Sequence, residues 1–146
     1  NMDFHKDLMT NLWKQPRGVS RDDGVAGKLT WTSKYGSVIA TAFDITSVDG
    51  INEAGLAGHI LWLAESTYGD PDSDRTQLSQ AIWLQYFLDN FGTVAECVKW
   101  IKDTNVQVVR TFTSVSSCCT SCRTYSNCCL CTSPHSMSAI RNSCWK

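Results

Sequence analysis

The chain has 146 residues, a formal net charge of −1, 42% hydrophobic residues and 18% charged residues. That is one domain's worth of sequence, with no basic field to favour nucleic acid or anionic lipid. Its longest uninterrupted apolar run, Ile60 to Ala64, falls far short of the roughly 20 residues of a membrane span.

From Asn1 to Gly27, polar residues mix with Leu8, Met9, Leu12 and Trp13, followed by the turn formers Pro16-Arg17-Gly18 and Asp22-Asp23-Gly24. This pattern predicts a long surface loop after a short opening strand. Asn1 opens the sequence with neither an initiator Met nor a signal-peptide pattern, which leaves the compartment open. Leu29 to Ser33 reads as a strand, and Val38 to Ile45 as a second, rich in β-branched and apolar residues. Asp49-Gly50 is a turn signal, and Asn52-Glu53-Ala54-Gly55 reads as a tight hairpin loop with Gly55 in the left-handed position. Leu56 to Leu63 is then the returning strand, so the expectation is three antiparallel strands in succession.

The period changes after that. Leu78, Ala81, Ile82, Phe87, Leu88 and Phe91 fall at helical spacing, and Gly92 ends the segment. Thr93-Val94-Ala95-Glu96 has the form of a capping box, which opens a second helix with the apolar stripe Val94, Cys97, Val98 and Ile101. Two helices joined at Gly92 are expected to lie antiparallel on one face of the sheet. The fold class is α+β.

Beyond Val109 the character shifts, and a boundary is placed near Arg110. Residues 110–146 form a Ser/Thr/Cys-rich tail with seven of the eight cysteines and no regular period. Cys119-Thr120-Ser121-Cys122 and Cys128-Cys129-Leu130-Cys131 are two C-x-x-C pairs that four-thiolate zinc could use, but their separation is shorter than in zinc ribbons. A disulfide knot would leave one cysteine of the seven over. The favoured reading is a disordered or out-of-frame segment.

Four strings occur in order: Asn1-Met2-Asp3-Phe4, Asn11-Leu12-Trp13 with Pro16-Arg17-Gly18, Trp31 to Val38, and Asp49 to His59; Leu78-Ser79 and Asp89 to Val94 continue the series. Together they resemble the choloylglycine hydrolase family, which contains bile salt hydrolases and penicillin V acylases. The resemblance implies part of an N-terminal-nucleophile hydrolase, an α-β-β-α sandwich that cleaves linear amides. In that family the thiol of an N-terminal Cys attacks and its own α-amino group, with a pKa near 8, serves as base. The implied partner is a small-molecule N-acyl amide, with no cofactor, no metal, no nucleic acid and no membrane. Relatives are often homotetramers, and a periplasmic or secreted location is plausible from them.

Residue by residue, the resemblance makes Asp3 the carboxylate beside the nucleophile, where the alternative is an ordinary turn-capping Asp. Phe4 stands where relatives place a Trp, and Trp62 falls at a pocket position that is Asn in bile salt hydrolases and aromatic in several penicillin acylases. Both are implied substrate-binding residues, and Trp62 tilts the reading towards the acylases. The alternative for Trp62 is a core aromatic. His5 and His59 read as surface or hairpin histidines, Cys97 as a small apolar residue on its helix. Asp70, Asp72 and Asp74 form a solvated loop, lacking the Gly and Glu of an EF-hand. The family's nucleophilic Cys, its Arg partner, and the later Asn and Arg are not matched by any residue here. The 146-residue chain alone is therefore expected to be an inactive fragment. The competing reading is a non-catalytic, degenerate amidase core with a metal-binding or disulfide tail.

Overall fold

The structure is a computed structural model that describes residues 7–25, 27–61 and 68–111. Its centre is an antiparallel sheet in the order β1-β4-β5-β6, built from β1 (Leu12–Gln15), β4 (Ser37–Ala42), β5 (Thr46–Asn52) and β6 (Ala57–His59). Along β4 the period-two pattern separates buried Ser37, Ile39 and Thr41 from exposed Val38, so one face is covered and the other is open. The open face carries Leu12, Val38 and Ile51, at 77%, 47% and 50% exposure. A separate hairpin pairs β2 (Ser20–Asp22) with β3 (Thr30–Thr32), and β7 (Thr76–Ser79) pairs in parallel with β8 (Val106–Val109). Between β7 and β8 come α1 (Trp83–Asn90) and α2 (Val94–Asp103).

An antiparallel sheet followed by two helices bears out the α+β expectation, but several boundaries move. The Asn1–Gly27 region contains two strands, β1 and β2, where the expectation was a long surface loop after a short opening strand. The Leu29–Ser33 strand pairs with β2 instead of joining the main sheet. Asp49-Gly50 is not a turn, because Gly50 lies inside β5 between Ile39 of β4 and Gly58 of β6. These two glycines serve packing. A Cβ on Gly50 would lie 2.6 Å from Leu88 Cδ1 and 2.9 Å from Ile39 Cγ2, and one on Gly58 would lie 2.4 Å from Leu84 Cδ1. The cross-strand pair is thus a trough that receives the leucines of α1. Leu78 belongs to β7, so the first helix starts at Trp83.

α1 sits between two apolar clusters. Its Leu84 and Leu88 pack on Ile39 under the sheet, with Trp13 and Ile60 alongside. Its Tyr86 joins Trp31 and Leu78, flanked by Phe91, Trp100 and Val106. The rings of Trp31 and Trp100 each lie 4.9 Å from that of Tyr86. Trp100 is what docks α2. The expected stripe points elsewhere, with Val94, Val98 and Ile101 at 66%, 43% and 54% exposure. Helical spacing identifies a stripe but cannot say which stripe faces the core when a Trp lies on the neighbouring one.

A buried polar hub joins the layers. The Asp89 carboxylate accepts from Arg21 Nε at 2.8 Å, Trp31 Nε1 at 2.7 Å and Gln85 Nε2 at 2.7 Å, and Arg21 Nη2 donates on to Gln15 Oε1. Burial pushes the Asp89 carboxyl up, against the pull of Arg21 and of the Trp31 and Gln85 donors. One helix residue thereby holds β2 and β3 directly, and β1 through Arg21.

Candidate active site at the turn end of the sheet

Asp3, Phe4 and Trp62, the residues singled out from the sequence, lie outside the described residues, as do His5 and the tail from residue 112. The described chain that leads to them is informative. β1 runs antiparallel to β4, and beyond Leu12 the pairing continues as Thr41 N–H donates to Asn11 O at 3.0 Å and Phe43 N–H to Leu8 O at 2.8 Å. On the other edge β6 runs past His59, opposite Asp49, to Ile60, whose N–H donates to Val48 O at 2.8 Å. Leu8 and Ile60 therefore sit at the same end of the sheet, the end where β4 turns into β5. They lie on opposite edges, three inter-strand spacings or about 14 Å apart.

That end is backbone-strained. The β4–β5 link is closed by Ile45 N–H to Ala42 O at 3.0 Å, with Phe43 and Asp44 both at φ 56°, the φ pair of a type I′ turn. Such turns favour Asn-Gly or Asp-Gly, and Phe43 is tied there through its N–H to Leu8 O. Met9 has φ 49°, its N–H bonded to Asp7 Oδ1 at 2.8 Å. Among the described residues these three are the non-glycine positive-φ positions, and all cluster at one end. Residues in such conformations cost about 1–3 kcal/mol each and gather at functional sites.

The side chains there converge on Asp44. Its carboxylate accepts from Asn11 Nδ2 at 3.0 and 3.1 Å, from Trp13 Nε1 at 2.9 Å and from Thr41 Oγ1 at 3.1 Å. The sequence pattern predicts a strand running through Phe43-Asp44 and does not signal this cluster. The available signal was weak: an Asp, which tolerates the left-handed region, behind an aromatic that does not.

Other polar groups are set for structure. Asp23, 1% exposed, accepts from Val25 N–H at 2.8 Å, Gly27 N–H at 2.7 Å and Leu29 N–H at 3.0 Å. Burial pushes its carboxyl up, but those amides and that of Lys28 outweigh it and hold it below the ordinary range. Asp72 Oδ1 accepts from Asp74 N–H at 2.9 Å, a local turn. Among the described residues no three His, Cys, Asp or Glu side chains are grouped to hold a metal ion. His59 Nδ1 lies 2.6 Å from Asp49 Oδ1 on the open face. The Cys97 thiol is pushed up by burial and then by the Glu96 charge, and a thiol held protonated is a poor nucleophile.

With this geometry in view, known proteins are informative. The family described as linear amide C-N hydrolases, choloylglycine hydrolase family, matches over residues 1–120. The chain belongs to the choloylglycine hydrolase family. A penicillin V acylase of Pectobacterium atrosepticum is 52% identical over 108 residues, covering 68% of this chain and 28% of that protein. The solved penicillin V acylase of Agrobacterium tumefaciens superposes with a TM-score of 0.71 at 49% identity, over 74% of this chain and 34% of its own. A single-residue variant of conjugated bile acid hydrolase from Clostridium perfringens gives 0.59 at 27% identity, over 75% and 34%. This choloylglycine hydrolase family chain thus spans about a third or less of the relatives it matches, and residues 1–120 include Asp3, Phe4 and Trp62. Among its described residues no helix is long and apolar enough to cross a membrane.

Proposed function

We propose that residues 1–109 are part of an amidase that hydrolyses N-acyl amides of the penicillin V or conjugated bile acid type, with residues 110–146 a Ser/Thr/Cys-rich tail outside that unit. In this reading Asp3 holds the N-terminal amine and thiol of the nucleophile in line by charge-assisted hydrogen bonds, and Phe4 and Trp62 wall the acyl pocket. The thiol sulfur attacks the amide carbon, its proton passes to the α-amine and then to the leaving amine, and water hydrolyses the thioester. Trp62 offers a stacking face and one N–H, which suits an aromatic acyl group. Identity to the two penicillin V acylases, 52% and 49% against 27% for the bile acid hydrolase, supports the same preference.

The observation that carries this reading is the family match over residues 1–120, which takes in Asp3, Phe4 and Trp62. In this reading none of these 146 residues is the attacking Cys, and a polypeptide of these residues alone is expected to release no amine from penicillin V. The test grafts residues 1–109 into the Pectobacterium enzyme in place of the matching segment and follows penicillin V hydrolysis. Asp3→Asn in an active graft is expected to lower kcat by about 10²-fold, the scale of a misplaced reacting group. A folded graft that cleaves no N-acyl amide, or an Asp3→Asn graft with unchanged kcat, overturns the proposal.

A further inference from the structure

A turn-tip aspartate normally needs no more than its own backbone. Asp44 instead gathers donors from two strands: Asn11 and Trp13 from the segment that enters and begins β1, and Thr41 from β4. Thr41 is fully buried, and its Oγ1 also lies 3.3 Å from Asn11 O. The main chain repeats the attachment through Thr41 N–H to Asn11 O and Phe43 N–H to Leu8 O. The left-handed φ of Asp44 is what aims its carboxylate back across the strand, and glycine would adopt that φ with less strain but could not make the contacts. A role confined to the turn would favour glycine or Asn-Gly here. Convergent donors and retained strain favour attachment.

We propose that Asp44 is a positioning residue. Its carboxylate, with the main-chain bonds beside it, locks the described segment Leu8–Trp13, which follows Asp3 and Phe4 in the sequence, onto the β4–β5 turn. The attachment stands on the geometry alone, and its catalytic consequence rests on the amidase reading.

Asp44→Gly and Asp44→Asn separate attachment from turn formation. Glycine relieves the φ and removes the acceptor. Asparagine keeps one acceptor oxygen, which suffices for Trp13 and Thr41. In the 146-residue chain, Asp44→Gly is expected to shift the Trp13 indole N–H resonance and to speed hydrogen exchange at the Thr41 and Phe43 amides by about tenfold, a local opening. Asp44→Asn is expected to leave both within about threefold. Unchanged indole resonance and exchange in Asp44→Gly would overturn the attachment. In the active graft, Asp44→Gly is expected to lower kcat by at least about tenfold with KM within about twofold, and Asp44→Asn to restore most of it. An unchanged kcat beside accelerated exchange overturns the catalytic role. A graft that is inactive with Asp44 intact counts against the amidase reading instead, and the exchange result still decides the attachment.

Discussion

Replacing Asn52 by alanine tests how the sheet holds its helix. Asn52 is 4% exposed, and its side chain makes four bonds. Its Nδ2 donates to Leu88 O at 2.9 Å and Phe91 O at 2.7 Å, closing the end of α1, and its Oδ1 accepts from Ala54 N–H at 3.1 Å and Leu56 N–H at 3.0 Å in the hairpin. At roughly 1 kcal/mol net for each, and with half-buried Phe91 free to recover water, the loss is about 3 kcal/mol. In urea, with a slope of about 1–2 kcal/mol/M, the midpoint should fall by about 1.5–3 M. Asn52→Asp adds a discriminating arm. It keeps the acceptor oxygen but points a buried charge at two carbonyl oxygens, so burial raises its folded pKa above the unfolded value near 3.9. Stability of Asn52→Asp should therefore rise as pH falls through that raised pKa, since protonation restores one donor. Asn52→Ala should show no such recovery relative to wild type. A loss below about 1 kcal/mol for Asn52→Ala, or identical pH behaviour of both variants, would refute the account.

Three further expectations follow from the packing and charges. Gly58→Ala should cost about 1–3 kcal/mol through its clash with Leu84 Cδ1, and Leu84→Val should remove part of that penalty in a double-mutant cycle, read from urea midpoints. The folded Asp23 carboxyl sits below its unfolded value, so the stability it contributes is present above about pH 4 and lost as pH falls through the folded pKa; Asp23→Asn should flatten this acid limb in thermal melts at stepped pH. Trp100→Ala should destabilise by about 2–4 kcal/mol and free α2, seen as lost helical ellipticity, whereas Val98→Ser, on the exposed stripe, should change stability by no more than about 0.5 kcal/mol.

What could be read from the sequence was what is encoded within a few residues. The capping box is present, with Glu96 N–H donating to Thr93 Oγ1 at 3.3 Å and Thr93 N–H to Glu96 Oε2 at 3.2 Å. Gly55 takes φ 90° in the hairpin after Asn52, as its position predicted. Both patterns are local, and local chemistry suffices for them. Asp49-Gly50 misled because a glycine demanded by a leucine on a distant helix looks the same as one demanded by a turn. Phe43-Asp44 was missed for the converse reason: a turn there is imposed by strand pairing and by donors as far away as Asn11. The family resemblance points to Asp3, Phe4 and Trp62, and the strain at Met9, Phe43 and Asp44, which arises only once the strands pair, adds a second set of residues.

The parallel seam between β7 and β8 bears on how the chain assembles. Its register, Thr76 opposite Val106 through Ser79 opposite Val109, joins segments separated by both helices, while β4 meets β5 through one tight turn. Pairings of short separation close quickly, and the seam must wait for the entropy of a long loop to be overcome. During synthesis the hairpins are complete before β8 has left the ribosome, so α1 is offered its trough of glycines well before the strand that finishes its other flank. Leu78 and Val109, buried together with the seam, are then late-forming contacts. Substitutions there should act on how fast the chain opens more than on how fast it folds.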